Sequence, residues 1–465
     1  MEILRKDKKN DFASKTLVCV LIILFIILQR GAATQISSYI LNANSTDFNE
    51  EIPSDITWGE VELLSNPENG RAFDPGIVVD GRKNIHVVWQ RDLEIFYTKY
   101  NNLKKEWSEP IQISEENTDI LASYPEITCN KKGIIHVIWR ATGPAIIHRW
   151  FDGKVWSNIT RIPTNNLIRS HDVITDSFGN AYIVWSDKNP SEWDNVVCTI
   201  FNKTTISWKP VFHLIESEKN SNCVALAIDS EEIVHMVWTD ILGNDSIRNV
   251  YYQQFKGNLF LLDTPVKVND EYIANPYAPK ITVNAQNVVY IVWEGKIDNS
   301  LDGILFRALK DNRFITETKK ISGNNVAYYP SICCDSKGQI HISWNEIGNL
   351  MYKSLNAQLE WSETLQLTFN NSYVEYTQIN ADKSGIVHIV WSDYTIKDSW
   401  QVYYVKGVAP KEGILISILI PSIGAVILFS IVTLIVTRKK DEKNQNAYKR
   451  YHLKEYFQLK TMTIK

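Results

Sequence analysis

Seven times along 465 residues the chain repeats a short apolar segment that closes on tryptophan. The copies are NIHVVW (84–89), GIIHVIW (133–139), GNAYIVW (179–185), EIVHMVW (232–238), NVVYIVW (287–293), GQIHISW (338–344) and GIVHIVW (385–391), with the tryptophans 46 to 55 residues apart. A period near 50 built from strand-like units points to a propeller.

An Asp or Asn stands nine residues before every one of these tryptophans: Asp80, Asn130, Asp176, Asp229, Asn284, Asp335 and Asp382. A constant spacing means a constant hairpin register, because a slip of one residue would turn every side chain to the other face. Asp and Asn suit the turn because their side chains bond nearby backbone amides. A short strand precedes each turn, and an aromatic-rich third strand follows each tryptophan.

A fourth strand opens on an aromatic residue at Trp58, Trp107, Trp156, Trp208, Phe260, Phe314 and Trp361. The first copy precedes every hairpin, and the last hairpin set has no fourth strand of its own. Both ends balance if the N-terminal strand completes the last blade. The predicted fold is all-β, a seven-bladed β-propeller over residues 56–408 that is closed by an N-terminal strand and leaves no open sheet edge.

Alignment also explains the histidines. His86, His136, His235, His341 and His388 share one slot, three residues before the tryptophan, where Tyr182 and Tyr290 replace them. Equivalent places around a ring cannot all converge on one metal, and tyrosine is a poor general base. These side chains are expected to be framework, packed between sheets with their polar atoms bonded to backbone.

The ends differ from the middle. Residues 16–28 (TLVCVLIILFIIL) follow five cations and precede Gly31-Ala32-Ala33, the pattern of a secretory signal over 1–33 with a candidate cleavage point after Ala33. An uncleaved signal anchor is the alternative. Residues 413–437 carry no charge and are followed at once by Arg438-Lys439-Lys440, which reads as one C-terminal transmembrane helix with a basic cytoplasmic stop. Residues 34–55 form a linker, and 438–465 a basic cytoplasmic tail. The expected protein is a single-pass type I protein of the cell membrane, its propeller outside.

Charge divides the same way. The leader carries +3 and the tail +6 against a chain total of −4, leaving −13 for residues 34–437. So acidic a domain excludes nucleic acid as a partner, which needs a basic face. Five cysteines in the external part have no framework spacing, no CxxC pair suggests zinc, and no D-x-D-x-D-G loop suggests calcium. No cofactor is implied. Glycosylation sequons begin at Asn44, Asn158, Asn202, Asn244 and Asn370.

In a propeller the starts of the first strands and the loops after the second strands meet on one face. The first strands open with Phe73, Tyr124, His171, Tyr277, Tyr329 and Tyr376; just beyond the tryptophans lie Asp92, Asp187, Asp240, Glu294, Glu346 and Asp393, with Arg91 and Arg140 in the first two blades. The expected ligand-binding rim is Arg91, Asp92, Tyr124, Arg140, Asp187, Asp240, Tyr277, Glu294, Tyr329, Glu346, Tyr376 and Asp393. Tyrosines and carboxylates suit a glycan, whose apolar faces stack on rings while its hydroxyls bond to acids, and they also suit a protein partner.

The repeat, a strand ending in Asp, then G-x-I-H-V-V-W-x-D, then an aromatic strand, then W-S-x-x-x-x-I, resembles the sialidase-like propellers with BNR (Asp-box) repeats. The resemblance spans about residues 56–406. The family's box, S-x-D-x-G-x-T-W, survives only as remnants: SLNAQLEW (354–361), FDGKVW (151–156) and YNNLKKEW (100–107), where Asn102 and the Trp remain. The resemblance implies either glycan recognition or glycoside hydrolysis. Family sialidases clamp the substrate carboxylate with three arginines and carry an R-I-P motif. Here R-I-P falls at Arg161–Pro163, within the fourth strand of the second blade, and no arginine lies between Arg313 and Arg438. Recognition of a glycan or protein ligand at the cell surface is therefore the first expectation, without assigned catalytic residues. A membrane-anchored sialidase or other glycoside hydrolase is the second.

Overall fold

The computed structural model describes residues 56–115, 121–164, 167–188, 194–215, 220–242, 247–297, 301–369, 373–396 and 399–409. The signal segment, the linker, the transmembrane helix at 413–437, the tail, and the sequons at Asn44, Asn244 and Asn370 lie outside the described residues. Among the described residues no helix is long and apolar enough to cross a membrane.

The described residues form seven antiparallel sheets. Their first strands are Ala72–Val79, Ala122–Cys129, Leu167–Thr175, Asn220–Ile228, Ile273–Val283, Ala327–Cys334 and Glu375–Ala381. The second strands, which carry the repeat, are Ile85–Arg91, Ile135–Ala141, Ala181–Lys188, Val234–Leu242, Val288–Ile297, Ile340–Glu346 and Ile386–Ile396. Third strands follow at Glu94–Asn101, Ala145–Phe151, Asn195–Asn202, Ile247–Lys256, Gly303–Lys310, Asn349–Leu355 and Ser399–Val408. This is the seven-bladed propeller expected from the repeat.

The ring closes as predicted. Thr57–Trp58 pairs with the last strand through Thr57↔Val408 and Trp58↔Gly407, and Glu62–Leu63 pairs with Tyr404 and Tyr403. The fourth strand of most blades is split into two short pairings, as in Glu106–Trp107 and Ile111–Gln112 or Ser207–Trp208 and Phe212–Ile215. Pro110 and Pro210 stand between those halves; proline cannot donate to a ladder, and an outer edge tolerates that.

Each turn aspartate or asparagine accepts two backbone amides at its Oδ1. Asp80 takes Arg82 and Asn84, and Asp382 takes Ser384 and Ile386, at 2.7–3.0 Å; the other five blades repeat the pattern. That double bond fixes the register on which the alternation depends.

The core follows from the alternation. On each second strand the tryptophan and the residues two and four before it form one face, which packs against the preceding blade. Ile135, Val137 and Trp139 meet Val78, Val88 and Tyr97, while Val387, Ile389 and Trp391 meet Leu350 and Tyr352. Seven such clusters, one per blade interface, replace a single core. The seven tryptophans rank among the largest fully buried side chains.

The histidines correct one expectation. They are buried framework, yet their main partners are side chains and not backbone. His86, His235, His341 and His388 each place Nδ1 2.7–2.8 Å from a third-strand tyrosine hydroxyl, Tyr97, Tyr252, Tyr352 and Tyr404 respectively. His86 and His235 set Nε2 3.3–3.4 Å from the second oxygen of the turn aspartate. Only His136, which meets His148 instead of a tyrosine, reaches a backbone oxygen, that of Gly179 at 3.0 Å. A tyrosine cross-strand partner is present, so the imidazole takes it before any carbonyl.

The box remnants also differ in detail. In YNNLKKEW the turn is held by Asn101, whose Oδ1 accepts the amides of Leu103 and Lys104, and not by Asn102. Asp152 and Asn356 play that part in their blades. Arg161–Pro163 lies on an outer edge strand, where Arg161 pairs with Ile147.

Candidate functional site

The first strands do not start smoothly. In all seven blades the ladder slips by a bulge where the first strand passes the end of the second. Six residues at this equivalent bulge position, Asp74, Tyr124, Cys223, Ala278, Tyr329 and Tyr376, have φ between 46° and 56°. Left-handed backbone is costly for residues with a Cβ, and bulges re-aim side chains. Here they bring one residue from each of six blades to the mouth of the propeller.

The strain is held by the neighbouring blade. Gln90 Oε1 accepts the amide of Tyr124 at 3.3 Å, and Glu294 Oε1 accepts the amide of Tyr329 at 2.8 Å. His171 sets Nε2 2.8 Å from the Tyr124 carbonyl; burial and then the charge of Arg140 push its pKa down to about 3, which keeps the ring neutral.

Three tyrosines and a guanidinium make the aromatic part of the mouth. The rings of Tyr329 and Tyr376 lie 4.8 Å apart. Arg140 lies 3.8 Å over the ring of Tyr124 and donates from Nη1 to the Ile168 carbonyl at 2.9 Å. Further round, Arg248 stands 5.0 Å from the Tyr277 ring, and Tyr277 is hydrogen-bonded to the Cys223 thiol.

The acids between them hold protons unusually well. Burial pushes Asp74 up to about 7 against the pull of Arg140 and with the push of Glu375; its Oδ1 is buried and has no hydrogen-bond partner among the described residues. Burial likewise raises Glu294 to about 7, with the Tyr329 amide pulling the other way, and raises Glu375. Tyr329 is pushed up to about 12 by burial and then by Glu375 and Glu294. Near neutral pH, then, the mouth offers carboxyl groups that both donate and accept, beside flat rings.

Of the twelve residues expected at the rim, Tyr124, Arg140, Tyr277, Glu294, Tyr329 and Tyr376 belong to this mouth. Three others are turned into the blades. Asp240, 4 % exposed, accepts Trp238 Nε1 at 2.7 Å and Ser221 Oγ at 2.5 Å, and Glu346, 7 % exposed, accepts Trp344 Nε1 at 3.1 Å. Asp393, 4 % exposed, accepts the Tyr373 amide at 3.3 Å. The reason is parity: these acids stand two residues after the tryptophan and share its inward face, whereas Arg140 and Glu294 stand one residue after it. Asp187 shares the position of Asp393 and is half-buried. Arg91 packs 3.4 Å from the Phe96 ring and pairs with Glu94, and Asp92 pairs with Arg71 at 3.8 Å on the exposed loop.

Asp74, Glu375, Cys223 and Arg248 were not expected at the mouth. For Asp74 a signal exists: Asp74-Pro75 aligns with Tyr124-Pro125 and Tyr329-Pro330, so the blade 1 position is Asp74 and not Phe73. Among the described residues no group of three or more His, Cys, Asp or Glu is placed to hold a metal ion. Asn158 is exposed and Asn202 half-buried, its Oδ1 accepting the amides of Thr204 and Thr205.

No protein-family model matches the sequence, and no curated protein matches it. Solved structures do. A protein of unknown function from Dyadobacter fermentans is similar over 77% of this chain and 100% of its own, at 11% identity and a TM-score of 0.51. The alpha-L-arabinanase of Penicillium chrysogenum, solved with arabinobiose, aligns over 77% of this chain and 99% of its own (12% identity, TM-score 0.48). The Hadza microbial sialidase Hz136 aligns over 74% of this chain and 68% of its own (10% identity, TM-score 0.42). At this identity the likeness to the Dyadobacter protein bears on the fold alone, and the chain is a seven-bladed β-propeller.

Proposed function

We propose that this chain is a single-pass cell-surface protein whose external propeller recognises a neutral glycan at the mouth built by Asp74, Tyr124, Tyr329, Tyr376 and Glu294. The observation that carries the reading is the alternation of aromatic rings with carboxyl groups held near pKa 7. Rings stack on the apolar faces of sugars, and a protonated carboxyl serves a hydroxyl as donor or acceptor. Neutral sugars are favoured over acidic ones because Arg140 is already committed to the Tyr124 ring, the Ile168 carbonyl and the field of Asp74. An anionic sugar would meet Asp74, Glu294 and Glu375 with Arg140 so committed, and Arg248 stands further round over the Tyr277 ring. A signal segment at 1–33, a transmembrane helix at 413–437 and a basic cytoplasmic tail complete the reading.

The test is a glycan array probed with the full-length protein in detergent micelles. Binding to neutral glycans that is lost in Tyr329→Ala, with unchanged melting, supports the reading; selective binding to sialylated or uronate glycans overturns it. Orientation is checked separately by a shift in gel mobility on removal of N-glycans, abolished for its share by Asn158→Gln.

One observation favours a second reading, a membrane-anchored glycoside hydrolase: a buried carboxyl with a raised pKa is what a general acid needs at neutral pH, and Asp74 has one. Turnover of aryl glycosides by the protein, abolished in Asp74→Asn, would establish it over recognition alone.

A further inference from the structure

Beneath the mouth the first strands enclose a second space, a cavity of about 290 Å³ along the propeller axis. It runs toward the face of the strand-one turns, and Asp74, Tyr124, Tyr329 and Tyr376 do not line it. At its middle, each blade presents the residue paired with the one just before its tryptophan. Five of these are polar: Glu126, Asp172, Lys280, Ser331 and Gln378. The other two blades supply Gly76 and Ala225, which leave room.

Neighbouring blades are linked at this level by a repeated hydrogen bond. Leu226 N–H donates to Asp172 Oδ2 at 2.8 Å, and Ile379 N–H donates to Ser331 Oγ at 3.1 Å. By the same geometry Glu126 would accept from Val173. Asp172 Oδ1 takes that amide instead, at 2.7 Å. Lys280 occupies the equivalent position, and an ammonium cannot accept. Two ionisable side chains on the cavity wall, Glu126 and Lys280, are thus left without a hydrogen bond or ion pair within 4.0 Å among the described residues, although the charge of Lys280 acts on both Glu126 and Asp172.

Charged groups facing a narrow space with no partner are costly unless something occupies it. A metal cation drawn by the carboxyls would be repelled by Lys280, and a simple anion drawn by Lys280 would be repelled by Asp172. A ligand carrying both signs meets both. Size sets a further limit, because about 290 Å³ lies at the lower edge of ligand pockets, roughly 300 to 1,000 Å³.

The geometry points to a second binding site in this axial channel for a small zwitterion of the α-amino acid class, its carboxylate on Lys280 and its ammonium on Glu126 and Asp172. Ser331 and Gln378 supply neutral hydrogen bonds beside them. Burial and the nearby Asp172, opposed by Lys280, push the Glu126 carboxyl up to about 7, and an incoming ammonium relieves that cost. The site shares no lining residue with Asp74, Tyr124, Tyr329 or Tyr376 of the mouth, although the charge of Asp74 acts on Glu126.

Calorimetry of the full-length protein in detergent micelles against each of the twenty free amino acids tests this, with their N-acetyl and methyl ester derivatives as controls. At least one free amino acid is expected to bind at one per chain. Lys280→Met and Glu126→Gln should each weaken it about tenfold or more, about 1.4 kcal/mol or more, and each blocked derivative should fail. Tyr329→Ala at the mouth should leave it unchanged. Glu126→Gln is nearly isosteric, so it decides the matter should Lys280→Met fold poorly. No heat from any amino acid at about 10 mM, equal binding of blocked derivatives, or binding indifferent to Glu126→Gln would each overturn the proposal and leave the channel as a hydrated one.

Discussion

The Nδ1 of His388 lies 2.8 Å from the hydroxyl of Tyr404, and both side chains, on neighbouring strands of the last blade, are buried. The same pair recurs in three other blades, which marks it as part of the repeat's frame. Tyr404→Phe removes one partner and leaves a buried ring nitrogen unsatisfied, which costs about 1 to 3 kcal/mol. The expected outcome is a lower midpoint in denaturant unfolding with unchanged ligand binding.

Trp391 is 1 % exposed and fills the interface between the last two blades together with Leu350 and Tyr352. Truncation to alanine opens a cavity there, so Trp391→Ala should destabilise by about 3 to 5 kcal/mol. Chemical unfolding measures it, and normal stability with lost binding would contradict the framework role.

Glu294 gives a pH signature whose sign is fixed. Its folded pKa of about 7 stands above the ordinary value of 4.5, so above pH 7 the folded protein bears the cost of a buried carboxylate, and the cost disappears as pH falls toward 4.5. Glu294→Gln keeps an oxygen for the Tyr329 amide and removes that cost. Relative to the native chain the variant should gain stability between pH 5 and pH 8, by no more than about 3 kcal/mol and less where mouth water screens the charge. His136 and His388, each pushed down to about 4 by burial, act oppositely, with stability lost as pH falls from 6.5 to 4. Glu294→Gln should leave that acid limb in place.

Ring closure depends on Trp58, whose ring lies 4.8 Å from Tyr352 and whose backbone pairs with Gly407. Deleting residues 56–64 exposes the outer edge of the last blade, and an unpaired edge recruits other chains. Size-exclusion chromatography should show higher oligomers, whereas Trp58→Ala alone should lower stability and keep the protein monodisperse.

Much of the frame is legible along the chain, because a propeller repeats one local solution. The nine-residue interval from Asp382 to Trp391 sets a turn and a register, and period-two alternation then decides which face each residue takes. The same alternation, applied one step further, separates Arg140 and Glu294 at the mouth from Asp240 and Glu346 inside the blades. Closure by Trp58 follows from counting strands.

The bulges and the axis are set by the closed ring and not by the local pattern. A bulge adds a residue that the period does not announce, and it brought Asp74 to the mouth beside Arg140 and Glu375. Residues more than 150 positions apart, Asp74 and Tyr376 or Glu126 and Lys280, influence one another only because seven blades close on one axis. The sequence by itself determined the blades, since their contacts are local and periodic. The carboxyl pKa values and the unpaired charges of the channel were decided by burial and by neighbours from other blades, which no local pattern encodes.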